Sequence, residues 1–107
     1  MHHDGLADER LVVGDLEIFP HGGLAIAAGR ALVLSVREFE LLVALAGRAG
    51  RVVGREELFA LVWGRALRPG DRSIDVYVRK LRVKLEAALP NARVHPHPRR
   101  LRLSDER

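Results

Sequence analysis

At 107 residues the chain is long enough for one domain around one modest core. It contains no cysteine, which excludes disulfides and thiolate chemistry, and no apolar run approaches the roughly 20 residues of a membrane-spanning helix. The net charge of +4 is unevenly spread: residues 1–34 hold two arginines and five acids, residues 35–64 four of each sign, and residues 65–107 twelve cations and five acids. A chain acidic at one end and basic at the other has a directional field, and its basic end suits a polyanion. The polar, acidic start is not a signal peptide, so a cytoplasmic location is expected.

Residues 1–10 lack any period and read as a disordered tail or linker remnant, leaving residues 11–107 as the folded domain. Leu11–Phe19 carries β-branched residues in alternation around Gly14-Asp15 and reads as one or two strands. Pro20 to Gly23 is a turn. Leu24–Ala28 and Ala31–Leu34 are short apolar runs separated by Gly29-Arg30, a two-residue hairpin signal. The N-terminal third is therefore expected to form a small antiparallel sheet.

Ser35 and Glu38 form a Ser-x-x-Glu capping box ahead of an apolar run, with Phe39, Leu42, Val43 and Ala46 as the helical stripe. The helix ends at Gly47–Gly50. Val52-Val53 is a short extended link. Arg55–Trp63 is a second helix with Leu58, Phe59 and Val62 inward. Residues 64–70 are a loop, because Pro69-Gly70 cannot continue a helix.

The segment Asp71–Glu86 holds the strongest functional signal. Ile74, Val78, Leu81 and Leu85 recur at 4-3-4 spacing and make one apolar stripe. Arg72, Val76, Arg79, Lys80 and Lys84 lie off that stripe, with Tyr77 at its edge. Such a face suits the DNA major groove, where cations meet phosphates and guanine edges and a methyl group meets thymine. Asp71 can cap this helix and Pro90-Asn91 stops it. The tail, Ala92–Leu103, reads as two short strands around His95–Arg100. Three helices followed by a hairpin make an α+β winged helix-turn-helix fold, with the N-terminal antiparallel sheet packed on the first helix.

No P-loop, no Gly-x-Ser-x-Gly and no His-Glu-x-x-His is present, so no enzyme is expected. The pairs His2-His3 and His95-x-His97 lack companion ligands, and neither a metal nor a cofactor is expected.

Four blocks in order resemble the OmpR/PhoB-type DNA-binding domain, the effector half of bacterial two-component response regulators. They are Leu34-Ser35-x-x-Glu38-Phe39-x-Leu41-Leu42, Val53-x-Arg55-x-x-Leu58, Val62-Trp63-Gly64, and Asp71 through Leu85. The resemblance implies double-stranded DNA as the partner, with the third helix in the major groove and the hairpin wing in the adjacent minor groove. It assigns recognition-helix contacts to Arg72, Ser73, Val76, Tyr77, Arg79 and Lys80, and puts Arg82 and Lys84 near the DNA backbone. Trp63 matches a tryptophan that touches phosphate in relatives, and it is equally suited to anchoring the core. Ser73 is also a candidate cap. Asp75 is expected to pair within the chain with Arg79 or Arg82, since a carboxylate is repelled by phosphates. The loop 64–70 matches one that can contact RNA polymerase, and homodimers on tandem DNA sites are a family trait. No receiver domain is present in this sequence. The alternatives are a protein-interaction module of the same fold, or a truncated and weakly functional fragment.

The resemblance weakens at the wing. The family's wing ends in a pattern like Val-Arg-Gly-x-Gly-Tyr-Arg, whereas residues 94–104 here hold no glycine and no aromatic. Arg99, Arg100 and Arg102 keep positive charge there. Pro96 and Pro98 each remove a ladder donor, so an irregular hairpin with a longer turn and no anchor for its final strand is expected. Codons compatible with Val94–Ser104 can spell Gly-Phe-Gly-Tyr one base out of frame. A frameshift near Asn91–Arg93 is therefore a second origin for this departure, and sequencing the locus decides it.

Overall fold

The computed structural model describes residues 9–89, 92–97 and 100–105, of which 92–97, 100, 101, 104 and 105 are described by their backbone alone. The expectations for residues 1–8, for Pro90-Asn91 and for Pro98-Arg99 lie outside the described residues.

Four short strands open the chain: β1 (Leu11–Val13), β2 (Leu16–Phe19), β3 (Leu24–Ala27) and β4 (Arg30–Ala31), paired antiparallel in chain order. Leu16 and Ile18 oppose Ala27 and Ala25, and all four are buried, so one face of the sheet lines the core. The third hairpin turns one residue earlier than its glycine suggests. Ala27 pairs with Arg30, which puts Ala28 and Gly29 in the turn, both with positive φ (51° and 81°). A two-residue turn whose residues both have φ > 0 matches the right-handed twist of its strands, and alanine is tolerated there at a cost.

The capping box of α1 (Val36–Ala46) forms in full: Ser35 Oγ accepts from the Glu38 N–H, and Glu38 Oε1 accepts from the Ser35 N–H at 2.9 Å. Its buried stripe is rotated from the expected one, comprising Glu38, Leu41, Leu42, Leu45 and Ala46, with Phe39 and Val43 half-buried. The helix touches α2, α3, β1 and β7, which widens its buried face. Helix α2 (Arg55–Trp63) buries Leu58 and Phe59 and ends at Gly64, whose φ of 75° is a left-handed cap. Helix α3 (Ser73–Ala88) buries the expected stripe of Ile74, Val78, Leu81 and Leu85.

One polar side chain among the described residues is buried in this core, Glu38, at 2% exposure. Lys84 of α3 reaches it, with Nζ 2.6 Å from Oε1, and also donates to the Val33 carbonyl at 3.0 Å. Burial pushes the Glu38 carboxyl up, but Lys84 and the Ser35 donors outweigh it and hold the group below the usual glutamate range.

The link at Val52-Val53 proves to be part of a sheet. Strand β5 (Val53–Gly54) pairs with β7 (Arg100–Asp105), which pairs in turn with β6 (Ala92–His97), all antiparallel. The hairpin is more regular than expected. Its register runs unbroken from Ala92↔Asp105 to His97↔Arg100, with Pro96 opposite Leu101, and two residues separate the paired ends. Strand β6 is an edge strand, where proline is tolerated because one side needs no donors. The final strand also has an anchor in place of the absent tyrosine. Leu103 is buried, and its carbonyl accepts from the Gly50 N–H at 3.0 Å.

Two outcomes test these statements. Ala28→Asn should raise stability by about 0.5–1 kcal/mol, since asparagine tolerates positive φ and Asn-Gly is a preferred turn of this kind; denaturant midpoints measure it, and a loss would contradict the turn assignment. Lys84→Met should cost about 1–3 kcal/mol at neutral pH, less than a fully buried pair because Lys84 is half in solvent. Glu38 in the native fold holds its proton less tightly than in the unfolded chain, so its contribution is complete above about pH 4.3 and fades as pH falls. The gap between wild type and Lys84→Met should therefore narrow on acidification, and a pH-independent gap would rule out Glu38 as the partner that matters.

Candidate nucleic-acid interface

The exposed face of α3 is what remains once its stripe is buried. Arg72, Val76, Arg79 and Lys80 are exposed, Val76 by 49%, while Val78 on the opposite side is 6% exposed. Val83, seven residues after Val76 and so on the same line of the helix, is also exposed at 59%. The sequence reading passed over Val83, although the heptad spacing from Val76 was available to find it.

The entry of this helix is tied down by its acids. Asp71 Oδ1 accepts from the Ser73 N–H at 2.9 Å and from the Ser73 hydroxyl at 2.6 Å, which holds the Asp71 carboxyl below the usual range. Arg72 occupies the capping position itself, so Asp71 performs the expected capping chemistry from one residue upstream. Ser73 is the first helical residue, and its hydroxyl donates to Asp71. Asp75 pairs within the chain as expected, but with Arg55 and not with Arg79 or Arg82. The Arg55 Nε lies 2.8 Å from Oδ1 and its Nη2 lies 2.8 Å from Oδ2. This pairing lowers the Asp75 carboxyl and raises the Arg55 guanidinium. A partner twenty residues away on another helix leaves no trace in local spacing.

Trp63 is half-buried at the end of α2. It stacks on Phe59 (ring centroids 4.5 Å apart, planes 8° apart) and meets the tilted ring of Tyr77 at 5.9 Å. Arg37 lies over Trp63 at 4.6 Å and donates to the Val62 carbonyl, and Arg65 lies over Phe59 at 4.8 Å. Trp63 is thus a structural anchor joining α1, α2 and α3. Tyr77 belongs to the same seam, with the Lys80 ammonium 5.7 Å from its ring.

Lys84 also has partners within the fold. Its ammonium turns toward α1 and is engaged by Glu38 and Val33, because the capping acid of α1 is buried against α3 at this height. Arg82 is half-buried. Arg100 opens β7, and Arg99 lies outside the described residues. Arg102 is half-buried on the same strand. Among the described residues no group of three or more His, Asp or Glu is placed to hold a metal, and no helix is long and apolar enough to cross a membrane.

Comparison with known proteins agrees with this geometry. Residues 29–97 match the family described as "Transcriptional regulatory protein, C terminal". The chain is 38% identical over 77 residues to the alkaline phosphatase synthesis transcriptional regulatory protein PhoP of Bacillus subtilis, covering 72% of this chain and 32% of that protein. It is 36% identical over 86 residues to the DNA-binding response regulator MtrA of Mycolicibacterium smegmatis, covering 80% of this chain and 38% of that protein. The chain thus spans about a third of the length of these relatives. Among solved structures it resembles the DNA-binding domain of CpxR from E. coli, with a TM-score of 0.73, 34% identity, and coverage of 91% of this chain and 98% of that one. It also resembles the Klebsiella pneumoniae RstA DNA-binding domain in complex with the RstA box, with a TM-score of 0.72, 25% identity, and coverage of 92% and 97%. The chain belongs to the OmpR/PhoB-type winged-helix family, the sequence-specific DNA-binding effector domains of two-component response regulators.

Proposed function

We propose that this chain regulates transcription by laying α3 in the major groove of double-stranded DNA. The observation that carries this reading is the exposed face of Arg72, Val76, Arg79 and Lys80, set opposite a fully buried stripe. Arg72, Arg79 and Lys80 supply cations for phosphates and guanine edges. Val76 supplies a methyl surface for thymine. Ser73 and Tyr77 sit at the rim, each already engaged within the protein, and Trp63 contributes by holding the helix. Arg82 lies beside the face, and Arg99 and Arg100 bring charge to the wing. Lys84 leaves the set of phosphate ligands, since Glu38 engages it.

Two finer readings belong to the same proposal. The loop 64–70 is the segment through which RNA polymerase would be contacted. Arg68 is exposed there, whereas Arg65 is drawn back onto Phe59 and toward Asp71. Pairs of chains on tandem DNA sites would follow from the family's habit. A protein-interaction module of the same fold is the rival reading, and the response to salt separates the two.

If about five phosphates are engaged, log affinity for DNA should fall against log salt with a slope near −4.5. Fluorescence anisotropy with a labelled duplex measures this, and an affinity indifferent to salt would favour a protein partner. Val76→Ala should change the bases preferred at one position, at about 1–3 kcal/mol for a lost base contact, and leave the salt slope alone. Selection from random duplexes by both proteins reads this out, and identical preferences would remove Val76 from the interface.

A further inference from the structure

Arg55 stands where local rules disfavour it. It is the first residue of α2, and the positive end of a helix dipole repels a cation. The side chain serves another helix. Its Nε and Nη2 make a two-pronged bond to the Asp75 carboxylate, and Nη2 also donates to the Asp71 carbonyl at 2.9 Å. One planar guanidinium therefore grips the first turn of α3 and the residue just before its cap. Two parallel bonds and a third to the backbone set direction as well as distance, which a single point charge cannot do. The Arg55 side chain is largely enclosed, at 24% exposure, so the fork is held in place by its surroundings. The residues it grips flank Arg72 and Val76, two of the exposed side chains on the proposed DNA-facing surface.

We propose that Arg55 and Asp75 are positioning residues for DNA recognition, their fork fixing the angle at which α3 offers Arg72 and Val76 to a base edge. The inference rests on the DNA-binding reading above. It also explains how an acid is kept on a helix that meets phosphates: the acid is a structural half of the fork, and its charge is answered within the protein.

Charge alone and positioning predict opposite signs. If Asp75 were merely a repelling acid, Asp75→Asn would tighten DNA binding. If it positions the helix, Asp75→Asn weakens recognition despite the added positive charge. Arg55→Lys keeps the charge and loses the fork. The test uses the full chain, a duplex that the wild type enriches from a random pool, and a scrambled duplex of equal length, both at one salt concentration. Both variants should lose about tenfold on the enriched duplex, the scale of one spoiled base contact, and no more than about twofold on the scrambled one. Asp75→Asn binding the enriched duplex as well as the wild type overturns the proposal, and so does Arg55→Lys losing equally on both duplexes. A second measurement needs no DNA. Amide hydrogen exchange across Val76–Arg79 should quicken about tenfold in both variants while Leu81–Leu85 stays unchanged, since local opening is set by local contacts. Unchanged exchange across Val76–Arg79 also overturns the proposal. A wild type that enriches no duplex defeats the DNA reading instead, and the exchange experiment still decides whether the fork holds the helix.

Discussion

The domain is organised around a carboxylate that has to be buried. The capping box requires a glutamate at the third position of α1, and packing α1 against α3 takes that position out of water. An ionised carboxylate in such a place is expensive unless each of its lone pairs finds a donor. The Ser35 N–H and the Lys84 ammonium both reach Oε1, and both donors come from fixed points of the fold. The ion pair ties α3 to α1 at one height along the helix. Specifying register is the best-attested use of a buried polar group, and here the element registered is the one that presents the cationic face.

A second set of contacts fixes the rotation of that face. The column of Phe59, Trp63 and Tyr77, closed by Arg37 and Arg65 over its rings, joins the end of α2 to the side of α3. Arg55 joins the start of α2 to the start of α3. Helix α2 therefore holds α3 at two places along the latter's first two turns, and α1 holds it further on through Lys84. These attachments draw on the acids near α3 as well. Asp71 is occupied by Ser73, and Asp75 by Arg55. The exposed charged side chains of the first two turns are then Arg72, Arg79 and Lys80.

Much of this arrangement could be read from the residues. The 4-3-4 spacing of Ile74, Val78, Leu81 and Leu85 identified the buried side of α3 because a helix of 16 residues repeats its angle often enough to be unambiguous. The capping box was legible because both of its bonds are local. Most of the details missed depend on groups distant in sequence. Nothing near Lys84 in the chain reveals that Glu38 lies within its reach. Asp75 had Arg79 four residues away, a natural local partner, and the geometry of two packed helices favoured Arg55. The turn at Ala28-Gly29 was displaced by one residue because glycine marks that a turn exists without saying which of its positions it fills. Val53 was read as a link because two residues cannot declare themselves a strand before their partner β7 is known.

The wing follows from the same point. Judged by its tip, a hairpin without glycine and with prolines should be poorly formed. Its regularity comes instead from the strand behind the tip. Strand β7 lies in the middle of its sheet, with β6 paired along its whole length on one side and β5 paired with Arg100 and Leu101 on the other. Leu103 sits in the core, and its carbonyl is tied to Gly50 after the end of α1. With the inner strand secured this way, the outer strand needs only to pair along one edge, and a proline there loses little. Strand β6 also touches α3, so the hairpin and the helix with the cationic face are seated against each other. The hairpin's attachment to the domain thus rests on its inner strand and not on a glycine at the turn.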